Sequence, residues 1–509
     1  MASYILAVDQ STSATKAILF DTQGRLAHRA NRSHQQHYPK PGWVEHDPEE
    51  IWQNTLGAIA DVLAAAGLDL SEARRQIQVL AITNQRETIM AWDRETGKPV
   101  YPAITWQCNR ADAICRALEA QGEAETVRAR SGLVLSPYFS AAKAAWILNE
   151  VPGVRAGAES GRILLGTMDS WLTWNLTGGQ VHATDCSNAS RTQLFNIFEK
   201  RWDDRLLGLF SIPKVMLPQV RFSDERFGAV APGAHPVQQA LAGLPIAGVM
   251  GDSHAALFGQ NCFGLGMAKA TYGTGSSIMM NIGATPRLSG SGLVTSVAWG
   301  RGGTIEYVFE GNINCTGATI QWLVDDLQLL ASPKESSAWA ESVPDNGGVY
   351  LVPAFVGLGA PYWDSAAKAS LTGMTRATRK AHVVRAAEES IAYQIKDIVD
   401  LMLRDSQLQI PELRVDGGPT RDAFLMQFQS DMLKIPVACA RIEELSALGV
   451  CLMGGLATGL WPDLDAIGKL RETGKRYEPQ MPENNRNLLY LGWQAAVKRT
   501  LSRQQQNQE

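Results

Sequence analysis

The sequence lacks the cysteine pattern of a disulfide-bonded or zinc-binding protein. Its seven cysteines are an odd number, and no two of them are spaced as Cys-x-x-Cys. Thiols that stay reduced are typical of a reducing compartment, so we expect a cytoplasmic protein.

Long apolar runs and an excess of one charge are missing as well. The longest stretch without a formal charge, from Phe227 to Gly251, contains Pro232, Pro236 and Pro245, which would break a membrane-spanning helix. The apolar run near the amino terminus is too short for a signal peptide. The formal net charge of −4 provides no long-range attraction to nucleic acid or to an anionic membrane. We therefore expect neither a nucleic-acid partner nor a membrane partner.

The familiar nucleotide-binding signatures are also missing. There is no GxxxxGK[ST] phosphate loop, no GxGxxG that opens a helix, and no HRD loop followed by DFG. If the protein binds a nucleotide, it must do so with another kind of loop.

What the sequence does contain is a large globular chain of alternating elements. Its 509 residues, 45% apolar and 19% charged, are too many for one ordinary core. Apolar runs typical of strands alternate with helical stretches, which predicts an α/β fold with two domains, residues 1–251 and 252–509, and a cleft between them. Strands are predicted at Tyr4–Val8, Ala17–Phe20, Val79–Thr83 and Ile246–Met250, and a helix at about Pro48–Ala66.

Two polar turns of similar build lie one in each predicted domain. The first spans Asp9 to Lys16 and the second Tyr272 to Ser276, and each separates two predicted strands. Hydroxyl and backbone N–H groups in such turns can bind phosphate oxygens, and an aspartate can orient hydrated Mg²⁺. Ser, Thr and Asp are ordinary turn residues too, so exposed hairpin turns are the alternative.

Two further sites combine residues that suit chemistry on hydroxyl groups. Arg86 and Glu87 follow a predicted strand, and together they can donate to and accept from a hydroxyl group. A surface ion pair of little energetic value is the alternative. Asp252 begins a predicted helix after a buried strand, where it can be a catalytic carboxylate or only cap the helix.

Several longer segments resemble the FGGY carbohydrate kinases, and within that family the glycerol-kinase branch most closely. The resemblance covers nearly the whole chain. The matching segments are residues 38–48, 82–88, 105–108, 188–191, 255–260, 272–275, 359–364 and 424–431, with the wider family signature at 138–146.

This resemblance implies a fold and an activity. The fold is two RNase H-like domains of the actin and hexokinase type, which close over a catalytic cleft. The activity is ATP-dependent phosphorylation of a hydroxyl group on a small polyol or sugar, with ATP and Mg²⁺ as cofactors. The resemblance also implies a homo-oligomer, either a dimer or a tetramer.

The resemblance assigns roles to individual residues as well. Asp252 matches the general base, and Asp9 and Asp252 match positions that hold Mg²⁺ through water. The positions expected to contact the polyol are Arg86, Glu87, Trp106, Tyr138, Asp252, Ser253 and Ser277. The positions expected to contact the nucleotide are Ser11, Thr12, Ser13, Lys16, Thr274, Gly317, Gln321, Gly418 and Asp422.

The chain departs from the glycerol-kinase pattern beside the polyol. Ser253 and His254 stand where Gln-Gln is usual, and Ser276 and Ser277 stand where Cys-Phe is usual. One polar contact therefore shortens, and the aromatic wall that would face Trp106 is missing. A roomier, more polar pocket favours a four- or five-carbon polyol or ketose. Alternatively, water or a neighbouring side chain fills the gap and glycerol still binds.

Other departures concern the nucleotide and regulation. Ser11 and Lys16 stand where the family has Gly and Arg, and Asp422 replaces an Asn near the adenine position. The loop that binds an activating sugar bisphosphate in some relatives is not matched between Pro232 and Pro245, so we do not expect that regulation.

A nucleotide-gated regulatory protein without turnover is the alternative from a different class. The presence of Asp9, Arg86, Glu87 and Asp252 argues against it, because a binding protein needs no catalytic carboxylate.

Overall fold

A computed structural model of the chain describes residues 3–502. The strands, β1 to β23 in chain order, are Tyr4–Gln10, Ala14–Asp21, Leu26–Ser33, Glu45–His46, Ile77–Asn84, Ile89–Asp93, Ala103–Ile104, Ile163–Thr167, Ala183–Asp185, Phe195–Asn196, Arg201–Trp202, Gln219–Arg221, Arg226–Ala229, Pro245–Gly251, Ala268–Tyr272, Ser276–Gly283, Val294–Arg301, Thr304–Ile313, Tyr350–Val352, Ser370–Thr372, Leu413–Asp416, Val437–Ala440 and Thr473–Tyr477.

The α-helices, α1 to α18 in chain order, are Pro48–Ala65, Leu70–Gln76, Asp112–Ala120, Ala124–Ser131, Ser140–Glu150, Val154–Glu159, Met168–Leu176, Cys186–Ala189, Asp204–Leu209, Pro236–Ala240, Asp252–Gly259, Gly317–Asp325, Ser336–Glu341, Lys380–Ser406, Ala423–Leu433, Leu445–Ala457, Leu464–Gly468 and Glu483–Thr500. Short 3₁₀ helices are Lys214–Met216, Pro333–Glu335 and Gly418–Arg421.

The strands and the helix that the apolar pattern predicts are confirmed. Helix α1 begins at Pro48 because the Asp47 carboxylate accepts a hydrogen bond from the Glu49 backbone N–H, and proline suits the first helical position. Strand β1 is buried along almost its whole length, as a central strand covered on both faces must be.

Two large sheets share one topology. The first has six strands in the order β13-β14-β5-β1-β2-β3, and the second has seven in the order β17-β18-β16-β15-β21-β22-β23. In the first sheet, β1, β2 and β3 pair antiparallel, and β5 and β14 extend the sheet parallel to β1. In the second sheet, β15, β16 and β18 pair antiparallel, and β21 and β22 extend the sheet parallel to β15. This repeated arrangement confirms the expected α/β fold with two RNase H-like halves.

Two helices join the halves. Helix α11 (Asp252–Gly259) crosses α16 (Leu445–Ala457) so closely that a Cβ atom on Gly449 would overlap the carbonyl oxygen of Ala255. Helix α16 also packs on β1, β5 and β14 of the first sheet. The apolar core around these helices draws side chains from both sheets, including Ile5 and Val308. The two sheets therefore face a common interior.

The topology decides where the candidate site lies. Strand β5 lies between β1 and β14 and is parallel to both, so the carboxyl ends of all three strands meet at one edge. Asp9, Arg86 and Asp252 lie at or just past these ends. Ligands of open α/β sheets bind at this kind of edge.

No helix within residues 3–502 is long and apolar enough to cross a membrane.

Candidate active site

The first polar turn connects β1 to β2 through Ser11, Thr12 and Ser13. Ser11 closes it, because its backbone N–H and its hydroxyl group both donate to the carbonyl oxygen of Ala14, each at 2.9 Å. The Thr12 carbonyl oxygen accepts a hydrogen bond from Gln36 Nε2 at 3.2 Å. Ser11 and Thr12 are half-buried and Ser13 is exposed, so a ligand can reach the turn.

Asp9, at the end of β1, is buried beside other charges. Lys16 Nζ lies 3.9 Å from Asp9 Oδ2 and 2.6 Å from Glu444 Oε2. Burial raises the pKa of Asp9 to about 7; Lys16 opposes this rise, whereas Glu444 and Asp252 add to it. A buried carboxylate near two others is a place where a cation is favoured. Glu444 is not among the residues that the sequence singles out.

The residues around Asp9 suit a magnesium ion that is also bound by phosphate oxygens. Within residues 3–502, no group of three or more His, Cys, Asp or Glu side chains is arranged to hold a metal ion by itself. Mg²⁺ needs no such group, because it is usually bound by one or two carboxylates together with water and phosphate oxygens. Asp9 and Asp252 supply carboxylates of that kind.

The second polar turn lies against the start of a helix. The Gly273 N–H donates to the Gly275 carbonyl oxygen at 2.8 Å, and the Gly317 N–H, at the start of α12, donates to the Gly273 carbonyl oxygen at 3.0 Å. A Cβ atom on Gly317 would lie 2.6 Å from that same oxygen. The glycine therefore permits a helix start to pack directly on a polar turn, an arrangement that suits phosphate.

A third glycine-rich segment completes this region. Strands β15 and β21 are parallel, so Tyr272 and Gly417 come together at their ends. Gly417 has a φ of 101°, and a Cβ atom there would overlap the Tyr272 carbonyl oxygen. The Pro419 ring beside Gly418 lies 3.7 Å from the position that a Cβ atom would take if Gly317 had a side chain. The structure thus brings Thr274, Gly317 and Gly418 into one region.

The two remaining predicted nucleotide residues have local partners. Gln321 Nε2, one turn along α12, donates to both carboxylate oxygens of Asp325 at 2.8 and 2.9 Å. Asp422 caps α15 by accepting from the Leu425 N–H at 2.9 Å, and Ser336 Oγ lies 3.5 Å from its second oxygen.

A buried ionic network forms the other side of the site. Arg86 Nη1 and Nη2 donate to the two carboxylate oxygens of Glu310 at 3.0 and 2.8 Å. Arg191 lies between Glu87, at 2.5 Å, and Glu310, at 2.7 Å. Burial alone would raise the pKa of Glu310, but Arg191 and Arg86 outweigh it and hold that pKa well below its usual range. The alternative of an exposed Arg86–Glu87 surface pair is wrong, because both side chains are at most 5% exposed.

Arg191 and Glu310 are not among the predicted site residues. Arg191 ends the matching segment 188–191, so the sequence held a signal for it. Glu310 is the second of two glutamates in β18, after Glu306, so local sequence does not mark it as a site residue.

Asp252 faces the remaining edge of the Arg86 guanidinium. Its Oδ1 atom lies 3.2 Å from Arg86 Nε, and its side chain is 37% exposed. The Ser253 N–H donates to the same oxygen at 2.6 Å. The Ser277 hydroxyl group donates to Glu310 Oε1 at 3.2 Å instead of filling space. His254 is buried, with its Nε2 atom 3.1 Å from Ser296 Oγ.

An aromatic pair connects this network to the first polar turn. The rings of Trp106 and Tyr138 meet edge to face with centroids 5.5 Å apart. Trp106 Nε1 donates to Thr12 Oγ1 at 3.0 Å. A residue predicted to contact the polyol therefore touches one predicted to contact the nucleotide.

Lys143 supports the aromatic pair from behind, although the sequence does not single it out as a site residue. Its ammonium group donates to the carbonyl oxygens of Thr105, at 3.1 Å, and Tyr138, at 2.8 Å. Burial lowers its pKa to about 7. Its position inside the family signature 138–146 is the signal that could have found it.

Comparisons with known proteins agree over almost the whole chain. Residues 4–259 match the FGGY family of carbohydrate kinases, N-terminal domain, and residues 268–458 match the C-terminal domain of the same family. Glycerol kinase 1 of Thermotoga maritima is 51% identical over 98% of this chain and 100% of its own length. The glycerol kinase of Symbiobacterium thermophilum is 50% identical over 97% of this chain and 98% of its own. The crystal structure of Plasmodium falciparum glycerol kinase with ADP superposes with a TM-score of 0.92 at 34% identity, covering 99% of each chain.

Proposed function

The chain belongs to the FGGY family of carbohydrate kinases, and we propose that it transfers a phosphoryl group from ATP to a hydroxyl group of glycerol. The observation that carries this proposal is the 3.0 Å hydrogen bond from Trp106 to Thr12. Direct transfer requires the acceptor hydroxyl group next to the terminal phosphate, and this bond joins the wall of one candidate subsite to the turn of the other.

The roles that the resemblance implies for individual residues are supported by the geometry. Asp252 is the general base that removes the proton of the attacking hydroxyl group, and it is partly exposed to the cleft. Arg86 and Glu87 orient the polyol by donating and accepting hydrogen bonds, and Trp106 and Tyr138 cover its carbon chain. Domain closure excludes water, which would otherwise accept the phosphoryl group.

The nucleotide is bound by the two turns and their neighbours. We assign this role to Ser11, Thr12, Ser13, Lys16, Thr274, Gly317, Gln321, Gly418 and Asp422. Asp9 and Asp252 would hold Mg²⁺ through water, and the ion, when bound, neutralises charge on the phosphates.

The proposal extends to organisation and location. We take residues 1–251 and 252–509 as the two domains that close on each other. The family resemblance supports a homodimer or a homotetramer. The seven buried free thiols support a location in the cytoplasm, because they suit a reducing compartment.

The test is a coupled ADP-release assay on the purified protein. The acceptors are glycerol, dihydroxyacetone, erythritol, threitol, erythrulose, xylulose, ribulose and ribitol. ADP release that depends on added glycerol, with the highest kcat/KM on the panel, supports the proposal. ADP release without any acceptor, or none with every acceptor, overturns it.

A second candidate substrate is favoured by one observation. Ser253 and Ser277 are both small, and the Ser277 hydroxyl group is directed at Glu310, so nothing from these positions covers the polyol opposite Trp106. A four- or five-carbon polyol or ketose would use that space.

The substitution Ser277→Phe tests this candidate. We expect it to lower kcat/KM for the longer acceptors by about tenfold or more, because a ring fills the space they need, and to leave glycerol phosphorylation nearly unchanged. The panel assay measures both values. Ser277→Ala, which removes the hydroxyl group without filling the space, is the matched control. Equal losses for glycerol and the longer acceptors would contradict the assignment of Ser277 to specificity.

The raised pKa of Asp9 predicts how nucleotide binding depends on pH. Its pKa is about 7, so the carboxyl group is mostly protonated below that value and mostly ionised above it. Only the ionised form attracts Mg²⁺, so we expect the KM for Mg–ATP to fall as pH rises from about 6 to about 8. Steady-state kinetics at saturating glycerol measures this. Asp9→Asn should give a high KM without that pH dependence, and a flat profile for the unaltered protein would refute the prediction.

A further inference from the structure

Glu310 is a carboxylate buried where a hydrophobic residue would ordinarily lie. It belongs to β18 (Thr304–Ile313), whose neighbouring residues Phe309 and Gly311 are buried, and its own side chain is 1% exposed. An ionised carboxylate can be kept in such a place only if charged partners compensate for its lost hydration. The identity of those partners indicates what the residue does.

The two charged partners of Glu310 come from outside the second sheet. Arg86 follows β5 of the first sheet, and Arg191 follows α8, whereas Glu310 and Ser277 lie on neighbouring strands of the second sheet. Glu310 Oε1 accepts from Arg86 Nη2 and Ser277 Oγ, and Oε2 accepts from Arg86 Nη1 and lies 2.7 Å from Arg191 Nη1. Each carboxylate oxygen thus has two partners, so the Glu310 carboxylate has little freedom to rotate.

The bidentate pair determines which edge of Arg86 is left for a ligand. A guanidinium group is planar, so two parallel bonds to Glu310 fix its plane and its direction. With Nη1 and Nη2 engaged, the Nε edge faces Asp252 Oδ1 at 3.2 Å and Glu87 Oε1 at 4.0 Å. Asp252 and Glu87 therefore both lie at the Nε edge of Arg86.

We propose that Glu310 is a positioning residue for the polyol: it holds the Arg86 guanidinium in the one orientation that binds the substrate next to Asp252. Glu310 lies on the second sheet, and Arg86 follows a strand of the first. The polyol subsite is therefore complete only when the two sheets keep this relative position. Glu310 itself touches no substrate. This inference depends on the proposed kinase activity and adds to it a residue from the other half of the molecule.

The test replaces Glu310 by Gln and by Asp. Glu310→Gln keeps the shape and removes the charge, while Glu310→Asp keeps the charge and withdraws it from Arg86. We expect both variants to raise the KM for glycerol by about tenfold or more, because the guanidinium can then rotate. The KM for ATP should change by less than about twofold, since the nucleotide turns do not touch Glu310. Calorimetric titration with glycerol should show the same loss of affinity.

Glu389→Gln is the matched control. Glu389 is also fully buried and also paired with an arginine, Arg385 Nε at 2.8 Å, but it lies in helix α14 (Lys380–Ser406), outside the ionic network of the site. Its replacement should lower the melting temperature much as Glu310→Gln does and leave the KM for glycerol unchanged.

Two results would overturn the inference. One is an unchanged KM for glycerol in both Glu310 variants. The other is a rise in that KM which Glu389→Gln reproduces, since the effect would then come from lost stability alone. Absence of glycerol-dependent ADP release in the unaltered protein would instead refute the proposed function, so the two failures are distinguishable.

Discussion

Replacing Asp252 by asparagine should lower kcat for glycerol phosphorylation by about 10²–10⁴-fold, the usual contribution of a general base. Asparagine has nearly the same shape but cannot take the proton from the attacking hydroxyl group. The cap position of its helix is Gly251, and asparagine keeps an oxygen that can accept from the Ser253 N–H as Asp252 does. Its loss should therefore affect turnover far more than folding. Steady-state ADP release at saturating glycerol and ATP measures the change.

Asp112→Asn is the control for this prediction. Asp112 is also the first residue of a helix, α3 (Asp112–Ala120), and its side chain pairs with exposed Arg116. We expect kcat to stay within about twofold of the unaltered protein. A kcat for Asp252→Asn above about one tenth of the original would mean that another group removes the proton.

Replacing Arg191 by methionine should lower the free energy of unfolding by about 3–5 kcal/mol. Arg191 is fully buried, and its charge lies between Glu87 and Glu310. Without it, the two buried carboxylates share the positive charge of Arg86. One of them is then left without a cationic partner, or it becomes protonated. Methionine retains the hydrophobic volume next to the Phe139 ring, so the change isolates the charge. Scanning calorimetry with and without glycerol measures the loss.

Arg32→Met provides the comparison. Arg32 also pairs with a carboxylate through two hydrogen bonds, to Asp61 at 2.7 and 2.9 Å, but both side chains are more than 40% exposed. Water already stabilises these charges, so we expect a loss of about 0–1 kcal/mol. Similar losses for Arg191→Met and Arg32→Met would contradict the idea that burial makes the network costly to break.

The strands and turns of both halves could be predicted from local sequence. The run Tyr4–Val8 predicted the strand Tyr4–Gln10, and the run Ile246–Met250 predicted Pro245–Gly251. Such predictions succeed because a buried strand needs continuous apolar side chains and a turn needs polar ones, and both requirements are local. Arg86 and Asp252 were found because each is a charged residue just past a predicted strand, whereas Glu310 lies inside a strand and outside the matching segments.

By itself, the sequence determined the class of fold, the two polar turns and the side chains that suit chemistry on a hydroxyl group. Only the tertiary structure decided that Arg86 is a buried ion-pair partner rather than a surface charge. Its partner Glu310 is 224 positions away and lies on the other sheet. The energy of a charge depends on the charges and the water around it in space, and no local pattern records neighbours that the fold brings together from distant parts of the chain.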